Sequence, residues 1–466
     1  MRILVAIASY GTKNDHFLNR VIEEYRTFPH DVHIVVLSNQ EKPLPLKVEL
    51  KVGIPVSNPW SLPFAHKPIF AERKNDFDLF IYSEDDTPIT LKNLDAFLRY
   101  TKCLPEDQIA GFLRYEAAPD GKRYISSAHA FYHWLTESAV RVGAGCVARF
   151  TNEHAAAYIV TRQQLHRALA SGGFHAPPRE GRYDMLCTAA TDVYTQCGFQ
   201  KVVGVSDFDD FLLHHLPNKY VGRMGVSVDA FKRMIGALEQ IGLGRHPNCN
   251  LVPVLREGDH DRWLPWYYED VNAKIMDAVP VESRNVLMLG CGWGLTEEAL
   301  MKRGHRVQAL PLDSVVGVLA ADRGINVHYE KVSGKWGDND SELFDCIVVN
   351  GLAHLVEDPR GLIGRCASRL QPKGALVVRA PNFGFLPYRW YRLKKIPGFS
   401  RYEPFHTTGV KPHSLSRLRE WLRATGLTLD HEALTLGETK RVPKGIQPWL
   451  PKELLSVEAV YRARRA

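Results

Sequence analysis

Short apolar runs alternate with amphipathic stretches along the first half of the chain. "RILVAIASYG", from Arg2, has the continuous apolar character of a buried strand, and "HFLNRVIEEYRTF" after it has the residue spacing of an amphipathic helix. "DVHIVVLSN", from Asp31, is then a second buried strand. A strand, a helix and a strand in this order favour a parallel sheet, so the pattern predicts an α/β fold.

The same alternation begins again in the second half. "WYYEDVNAKIMDAV" predicts a helix from Trp266, and "RNVLMLGCGWG" predicts a strand that runs into a glycine-rich turn at Gly290. Further strand and helix patterns follow. We therefore predict two Rossmann-like domains, residues 1–255 and 256–466.

The bulk composition is that of a soluble globular protein. The chain has 466 residues, 45% of them hydrophobic and 24% charged, which is too long for one ordinary core. No apolar run reaches the length of a membrane span, and the first strand continues into a polar loop instead of a cleavage site, so we expect a cytoplasmic protein. The eight cysteines lack the paired spacing of a zinc site and are expected to be reduced thiols.

Three glycines end the strand in the second half. Gly290, Gly292 and Gly294 would let the backbone approach a ligand closely and turn into a helix whose first N–H groups are unpaired. A tight turn that binds nothing needs glycine equally, so the triplet alone leaves both readings open. Asp313 ends the next strand, about 20 residues on, where an acid can accept hydrogen bonds from a ribose.

The G-x-G-x-G spacing, with "FDCIVVNGLAHLVEDP" and "HTTGVKPHSLSRLREWLRATGL" after it, resembles the class I S-adenosylmethionine-dependent methyltransferases over about residues 262–440. The family usually has an acid two residues before the first glycine, but Met288 stands there. The resemblance implies that S-adenosylmethionine is the cofactor and that its binding residues are Gly290, Cys291, Gly292, Gly294, Asp313 and Asn350.

Two histidines are candidates for the base that a hydroxyl acceptor requires. His354 follows the fourth predicted strand of this half, and His406 lies in "EPFHTTG" ahead of the last helix. By the resemblance, both lie near the transferred methyl group. Either one equally suits a loop histidine that caps backbone groups.

In the first half, three acids follow a buried strand directly. Glu84, Asp85 and Asp86 come after the apolar run that begins at Leu79, and adjacent carboxylates repel one another unless a cation holds them. Charge runs are usually solvated loops. Their position at the carboxyl end of a strand, where α/β sheets bind ligands, favours a metal site.

A strand that ends in three acids, in a sheet whose first strand ends in "ASYG", resembles the D-x-D region of GT-A glycosyltransferases. The resemblance implies that a divalent cation, Mn²⁺ or Mg²⁺, holds the diphosphate of a nucleotide sugar. Asp86 is then the metal ligand, and Glu84 binds the ribose, or the metal through water. Ala8 and Tyr10, at the end of the first strand, line the donor site.

The same resemblance implies two further roles. A distant histidine completes the metal coordination in many members, and "FLLHHLPNKYVG" offers His214 and His215, which could instead end a surface helix. An inverting enzyme needs a carboxylate base, for which Asp192 and Asp184 are the candidates. Asp192 could also cap a helix.

A basic, aromatic stretch lies late in the chain. Residues 1–250 carry 28 basic and 27 acidic residues and residues 251–466 carry 31 and 25, and the stretch from Arg379 to Arg401 has six basic residues and no acid. It is either a solvated insertion, or a lid that holds an anionic acceptor or contacts an anionic membrane surface. Its composition also suits single-stranded nucleic acid, but the first half favours a glycan, and nucleic acid is not expected.

Together the two resemblances imply a GT-A glycosyltransferase fused to a class I methyltransferase. One domain would add a sugar from a nucleotide sugar to a glycan or lipid-linked glycan of a surface polysaccharide, and the other would methylate a hydroxyl of that glycan. One alternative is a methyltransferase with a non-catalytic, glycan-binding first half. The other is a non-enzymatic scaffold with two degenerate sites. Met288 favours this alternative, because it stands where the methyltransferase family usually has an acid.

Overall fold

A computed structural model describes residues 1–54, 58–125, 132–221, 225–252, 263–337, 341–396, 399–400, 402–438, 445 and 447–465. The chain divides into two compact units, Met1–His246 and Pro247–Ala466, so the division falls somewhat before the predicted boundary near residue 255. No helix in these ranges combines the length and the apolar character that a bilayer span requires.

The first unit contains thirteen strands and six helices among its described residues. The strands are β1 (Arg2–Ala8), β2 (Asp31–Leu37), β3 (Val48–Lys51), β4 (Leu79–Glu84), β5 (Gln108–Ala110), β6 (Leu113–Ala117), β7 (Arg123–Ile125), β8 (Trp134–Val142), β9 (Gly145–Phe150), β10 (Ala157–Thr161), β11 (Gln200–Gly204), β12 (Leu212–His214) and β13 (Val226–Ser227). The helices are α1 (Asp15–Arg26), α2 (His66–Glu72), α3 (Leu91–Thr101), α4 (Arg162–Ala170), α5 (Met185–Thr195) and α6 (Val228–Gly242).

The main sheet of this unit has the order β10-β4-β1-β2-β3. Its strands are parallel except β10, which runs antiparallel to β4. Six of the seven residues of β1 are buried, as expected for a strand covered on both faces. Ala8 pairs with Glu84, so the carboxyl ends of β1 and β4 lie side by side and bring "ASYG" next to the acidic run. Two four-stranded sheets, β5-β11-β9-β8 and β12-β6-β7-β13, complete the unit.

The second unit contains seven strands and seven helices among its described residues. The strands are β14 (Asn285–Cys291), β15 (Arg306–Pro311), β16 (Asn326–Val327), β17 (Phe344–Asn350), β18 (Leu370–Pro381), β19 (Thr428–Leu436) and β20 (Ser456–Arg464). The helices are α7 (Ala273–Ala278), α8 (Leu295–Lys302), α9 (Gly317–Asp322), α10 (Pro359–Ser368), α11 (Tyr388–Leu393), α12 (Phe405–Thr408) and α13 (Leu415–Ala424).

These strands form one sheet of order β16-β15-β14-β17-β18-β20-β19. The five strands from β16 to β18 are parallel, and β20 runs antiparallel to both of its neighbours. The strand order reverses between β14 and β17, and a doubly wound sheet binds its ligand at such a switch point. The predicted α/β class and the Rossmann-like second domain are confirmed.

One predicted helix is much shorter than expected. The pattern predicts a helix from Trp266, whereas α7 begins at Ala273 behind an Asn272 cap whose side chain accepts the Ile275 N–H. The backbone before it is used elsewhere, because the carbonyl groups of Tyr267 and Glu269 accept hydrogen bonds from Trp293. Residues 266–269 therefore lie over the glycine-rich turn.

Candidate functional site

The glycines after β14 are required by the chain's own packing. Gly290 and Gly294 both have φ +90°, a conformation that favours glycine. A Cβ at Gly290 would lie 2.6 Å from the Asn350 carbonyl oxygen, and one at Gly294 would lie 2.7 Å from Ile325 Cδ1. These two positions hold β14 against β17 and α8 against its neighbours, whether or not a ligand is bound.

Gly292 is required for a different contact. A Cβ there would lie 2.3 Å from the carbonyl oxygen of Tyr267. The same carbonyl accepts the Trp293 N–H at 2.9 Å, and the Glu269 carbonyl accepts the Trp293 indole N–H at 2.6 Å. The backbone of residues 266–269 thus fills the space above Gly292. This backbone segment forms one wall of a cavity.

A cavity that is open to solvent lies between this wall and the start of α8. Its lining residues are Trp266, Glu269, Gly292, Trp293, Gly294, Leu295, Thr296, Glu297 and Asn350. Three of the predicted cofactor residues, Gly292, Gly294 and Asn350, line it. Gly290 and Cys291 support the turn from beneath.

Two glutamates on the cavity wall were not predicted from the sequence. Glu297, in the first turn of α8, is only 3% exposed, and burial raises its pKa to about 7, opposed in part by its hydrogen bonds to its own N–H and to Cys291. Glu269 stands on the other wall and raises the pKa of Glu297 further. Two features of the sequence could have identified Glu297. It is an acid that follows the glycine-rich turn closely, and Met288 occupies the position where the family usually has an acid.

Glu269 belongs to a partly buried polar network. Arg379 Nη1 donates to Glu269 Oε2 at 2.6 Å and to Asn350 Oδ1 at 3.2 Å, and Arg379 Nε donates to Glu458 at 2.7 Å. Asn350 Nδ2 in turn donates to the Gly290 carbonyl at 3.2 Å. This network fixes the Asn350 side chain at the cavity and offsets the charge of Glu269.

Asp313 lies just beyond the end of β15, as the sequence predicts, but its surroundings are more crowded than expected. It is buried, and its Oδ1 accepts the N–H groups of Val315 at 2.8 Å and Val316 at 2.7 Å. Asn250 forms a β-bridge with it, and Leu251 N–H donates to the Leu312 carbonyl at 2.9 Å. Asp313 thus shapes this loop, and its contact with a ribose stays a prediction.

The residues of the cavity fit the methionine end of S-adenosylmethionine. That end carries an ammonium and a carboxylate, and the cavity offers the glutamates Glu269 and Glu297 together with backbone N–H groups at the start of α8. The fit therefore rests on the kinds of donors and acceptors that the cavity presents.

The two candidate histidines of this unit have different surroundings. His354 is buried, its Nε2 lies 2.7 Å from the Trp263 carbonyl oxygen, and burial lowers its pKa to about 3. A histidine with this pKa is neutral near pH 7, and its bond to the Trp263 carbonyl holds its loop in place. The expected role of His354 as base stays a prediction. His406 is exposed on α12, and its role stays a prediction.

The basic, aromatic stretch divides into a buried and an exposed part. Phe383, Phe385 and Phe399 are buried, and Phe383 stacks on Trp263 with ring centroids 4.3 Å apart. The exposed part contains α11, whose Trp390 is 48% exposed. Its basic residues are Arg389, Arg392, Lys394 and Lys395; Arg401 lies outside the described residues.

The acidic run of the first unit ends β4 and is largely buried. Asp85 accepts hydrogen bonds from Ser9 Oγ at 2.7 Å and Asn14 Nδ2 at 2.8 Å, and burial raises its pKa to about 6. Burial, with the charge of Asp86, raises the pKa of Glu84 to about 8. Three carboxylates in this state would gain from a cation.

Of the two predicted histidine ligands, only His215 lies beside the acids. Its Nε2 is 3.5 Å from Asp86 Oδ2, and its Nδ1 bonds Glu116. Burial acts to raise the pKa of Asp86, but the hydrogen bond and charge of His215 lower it overall. His214 instead stacks on Tyr115 and bonds Asn218, and its expected role as ligand stays a prediction.

No three acidic, histidine or cysteine side chains form a ready metal site within the described ranges. Asp86 and His215 are brought together, and Glu84 adjoins them in the chain. At the end of β1, Ala8 is buried and Tyr10 is 50% exposed. The divalent cation and the donor contacts of Glu84, Ala8 and Tyr10 stay predictions.

The two candidate bases of this unit differ in exposure: one is buried and the other is exposed. Asp192 is fully buried and paired with both Lys67 and Arg179, the latter at 2.7 Å. The two ion pairs account for the burial of this carboxylate, and the expected role of Asp192 as base stays a prediction. Asp184 is exposed, accepts the Cys187 N–H as the cap of α5, and raises the pKa of Glu84. It therefore stands close to the acidic run.

The second unit matches known methyltransferases in sequence. Residues 261–432 match the family model described as a methyltransferase domain. The ubiquinone biosynthesis O-methyltransferase of Coxiella burnetii is 29% identical over 166 residues, which is 33% of this chain and 68% of that protein. That of Xylella fastidiosa is 29% identical over 169 residues, 34% of this chain and 65% of that protein.

Among solved structures, the N-methyltransferase NodS of Bradyrhizobium japonicum with S-adenosyl-L-homocysteine shares 18% identity and a TM-score of 0.31, covering 44% of this chain and 95% of that one. The family model and the sequence relatives, together with the doubly wound sheet and the cavity beside its glycine-rich turn, show that the C-terminal unit contains a class I S-adenosylmethionine-dependent methyltransferase domain.

Proposed function

We propose that the C-terminal unit transfers a methyl group from S-adenosylmethionine to a hydroxyl oxygen. The observation that carries this proposal is the cavity between the glycine-rich turn and α8, which is lined by two acids and by the first turn of the helix. The relatives from Coxiella and Xylella are named as O-methyltransferases, which supports oxygen as the acceptor atom.

The cofactor supplies an electrophilic methyl group on a sulfonium. The protein's own tasks are to align an acceptor in line with that group and to accept the hydroxyl proton. His406 is the candidate base, because it is exposed at the segment that follows α11, whereas His354 is buried and bonded to the Trp263 carbonyl. The aromatic and basic residues of α11 suit a hydroxylated acceptor that carries an anionic group.

The test is transfer of radiolabelled methyl groups by the full chain to a panel of acceptors. The panel contains hydroxylated aromatic acids, a lipid-linked glycan and, as a nitrogen control, a primary amine. We expect label on a hydroxyl acceptor. Label on the amine alone would overturn the choice of oxygen, and failure of the protein to bind S-adenosyl-L-homocysteine would overturn methyl transfer itself.

A second activity is proposed for the N-terminal unit: metal-dependent transfer of a sugar from a nucleotide sugar. The supporting observation is the row Asp86, His215 and Glu116. A histidine whose second nitrogen bonds a carboxylate is oriented as metal-ligating histidines are. Asp86 lies just after the end of β4 of the mostly parallel main sheet, at the edge where nucleotides bind in α/β folds.

Asp86→Ala tests this second activity. We expect the variant to lose Mn²⁺-dependent hydrolysis of a nucleotide sugar, while methyl transfer survives because no metal is needed there. Asp31→Ala, a change at an exposed acid of the same unit, is the matched control. Unaltered hydrolysis in Asp86→Ala, or no hydrolysis of any donor by the wild type, would remove the glycosyltransferase proposal and leave a binding role for this unit.

The two activities would act on one acceptor. A glycan that receives a sugar at one site and a methyl group at the other would meet the second site at a raised effective concentration, since the two units are parts of one chain. A surface polysaccharide or its lipid-linked precursor fits both the nucleotide-sugar reading of the first unit and the basic residues of α11.

A further inference from the structure

The position that usually holds the amino group of the cofactor has no acid in this protein. Met288 is completely buried in the apolar core of the second unit, among side chains such as Val286 and Val348. An ammonium that leaves water for this cavity needs an anionic or hydrogen-bonding partner, because an unpaired charge that loses its hydration is very costly. The partner must therefore come from another residue of the cavity.

Glu297 has the properties of that partner. It is 3% exposed and lines the cavity from the first turn of α8. In the described part of the chain its carboxylate bonds its own N–H and the Cys291 thiol but forms no ion pair. The other cavity acid, Glu269, is already paired with Arg379.

A purely structural role does not explain why Glu297 is buried. Acids in the first turn of a helix are stabilising when they face water, and Glu298 fills that role with its bonds to Lys302 and Arg323. Glu297 is instead buried against a cavity, where an ionised carboxylate without a cation destabilises the fold. A ligand that brings a cation to this place would remove that cost.

We propose that Glu297 binds the ammonium group of the methionine part of S-adenosylmethionine, in place of the acid that is missing at Met288. The proposal rests on the proposed methyltransferase function. It makes Glu297 a binding residue of the amino acid end of the cofactor and leaves Glu269, held by Arg379 beside Asn350, to orient the opposite wall of the cavity.

The pH dependence of binding follows from the groups around Glu297. Burial, followed by the charge of Glu269, raises the pKa of Glu297 to about 7, while its bonds to its own N–H and Cys291 and the charge of Arg323 act to lower it. An ammonium ligand requires the carboxylate, so its affinity rises as the pH increases through about 7. Below that pH the binding of the ligand releases a proton.

The experiment is calorimetric titration of the full chain with two ligands. S-adenosyl-L-homocysteine carries the amino acid group, and 5′-methylthioadenosine carries the adenosine and thioether without it. We expect Glu297→Gln to weaken binding of the first ligand about tenfold or more, the effect of losing a charged hydrogen bond, and to leave the second unchanged. Glu298→Gln, one residue along the same helix, is the matched control and should bind both ligands as the wild type does.

Two outcomes would overturn the proposal. One is unchanged affinity of Glu297→Gln for S-adenosyl-L-homocysteine, and the other is an equal loss for both ligands. If Glu297→Gln does not fold, the wild type decides, since its affinity for S-adenosyl-L-homocysteine must rise between pH 6 and pH 8 while that for 5′-methylthioadenosine stays constant. Failure of the wild type to bind either ligand would count against the methyltransferase function instead, which keeps the two failures distinct.

Discussion

At the scale of single residues, Glu297 links the stability of the second unit to its function. Its pKa is raised from 4.5 to about 7 by burial, so the folded state binds a proton that the unfolded state releases in this range. Stability from this group is fully present below about pH 4.5 and is lost as the pH rises through about 7. A buried acid that lowers the stability of the fold near neutral pH is expected where the acid binds a cationic ligand.

We therefore expect Glu297→Gln to stabilise the second unit at pH 8 by about 1 to 3 kcal/mol and to change it little at pH 5. The measurement is thermal unfolding of the full chain at both pH values. Glu298→Gln should not show this pattern, because Glu298 is paired at the surface. Equal stability of wild type and Glu297→Gln at pH 8 would show that the buried carboxylate is compensated within the protein.

Single residues also show where prediction from sequence stops. The acidic run, the glycine-rich turn and Asn350 could be placed because strand ends gather at one edge of a parallel sheet. The state of Asp192 could not, since its partners Lys67 and Arg179 are distant in sequence from each other. The same holds for His354, whose partner is the carbonyl of Trp263.

At the scale of the elements, the start of α5 brings a structural and a chemical role together. Asp184 caps the helix through the Cys187 N–H and also lies near Glu84. Asn is as good a cap as Asp but accepts no proton, whereas Ala does neither. The pair of variants therefore separates the two roles.

We expect Asp184→Ala to lower the free energy of unfolding by about 1 kcal/mol and Asp184→Asn to leave it nearly unchanged. If Asp184 is the base for sugar transfer, both variants lose transfer to an acceptor. Denaturant unfolding and transfer assays on the same preparations check this. Full transfer activity in Asp184→Asn would reduce the residue to a helix cap.

The turn after β14 carries another prediction. Because a Cβ at Gly292 would lie 2.3 Å from the Tyr267 carbonyl, Gly292→Val should push residues 266–269 off the turn and open the cavity wall. We expect weaker binding of both S-adenosyl-L-homocysteine and 5′-methylthioadenosine, together with faster hydrogen exchange at the Trp293 amide. Normal binding by a folded Gly292→Val protein would show that this wall is not part of the site.

Local pattern explains why the strands were predicted better than the helix before the turn. β1, β2 and β14 are continuous apolar runs, which specify buried strands by themselves. Residues 266–272 have a helical pattern, yet their carbonyls serve Trp293, a contact between segments that periodicity does not contain. The GT-A fold of the first unit likewise depends on more than its strand order and stays a prediction.

At the scale of the whole molecule, the order of the two proposed reactions depends on the exposed basic residues. If Arg389, Arg392, Lys394 and Lys395 hold an anionic glycan or its lipid phosphate, changing all four to Gln should raise the KM for that acceptor in a salt-dependent way. Affinity for S-adenosyl-L-homocysteine should be unchanged. An unaltered KM would leave these residues as surface charges.

We further expect methylation to be faster on an acceptor that already carries the sugar added by the first unit. Methylation of a hydroxyl prevents its later use in chain growth, so this order avoids early termination. Methylation rates on acceptor before and after sugar addition, measured with the wild type, test the order. Equal rates on both acceptors would contradict it.

The central claim is that the second unit binds S-adenosylmethionine at the cavity beside the glycine-rich turn. The most direct measurement is calorimetric titration of the full chain with S-adenosyl-L-homocysteine, with Glu297→Gln in parallel. The account predicts saturable binding by the wild type and about tenfold or weaker binding by Glu297→Gln. Absence of binding by the folded wild type between pH 6 and pH 8 would contradict it.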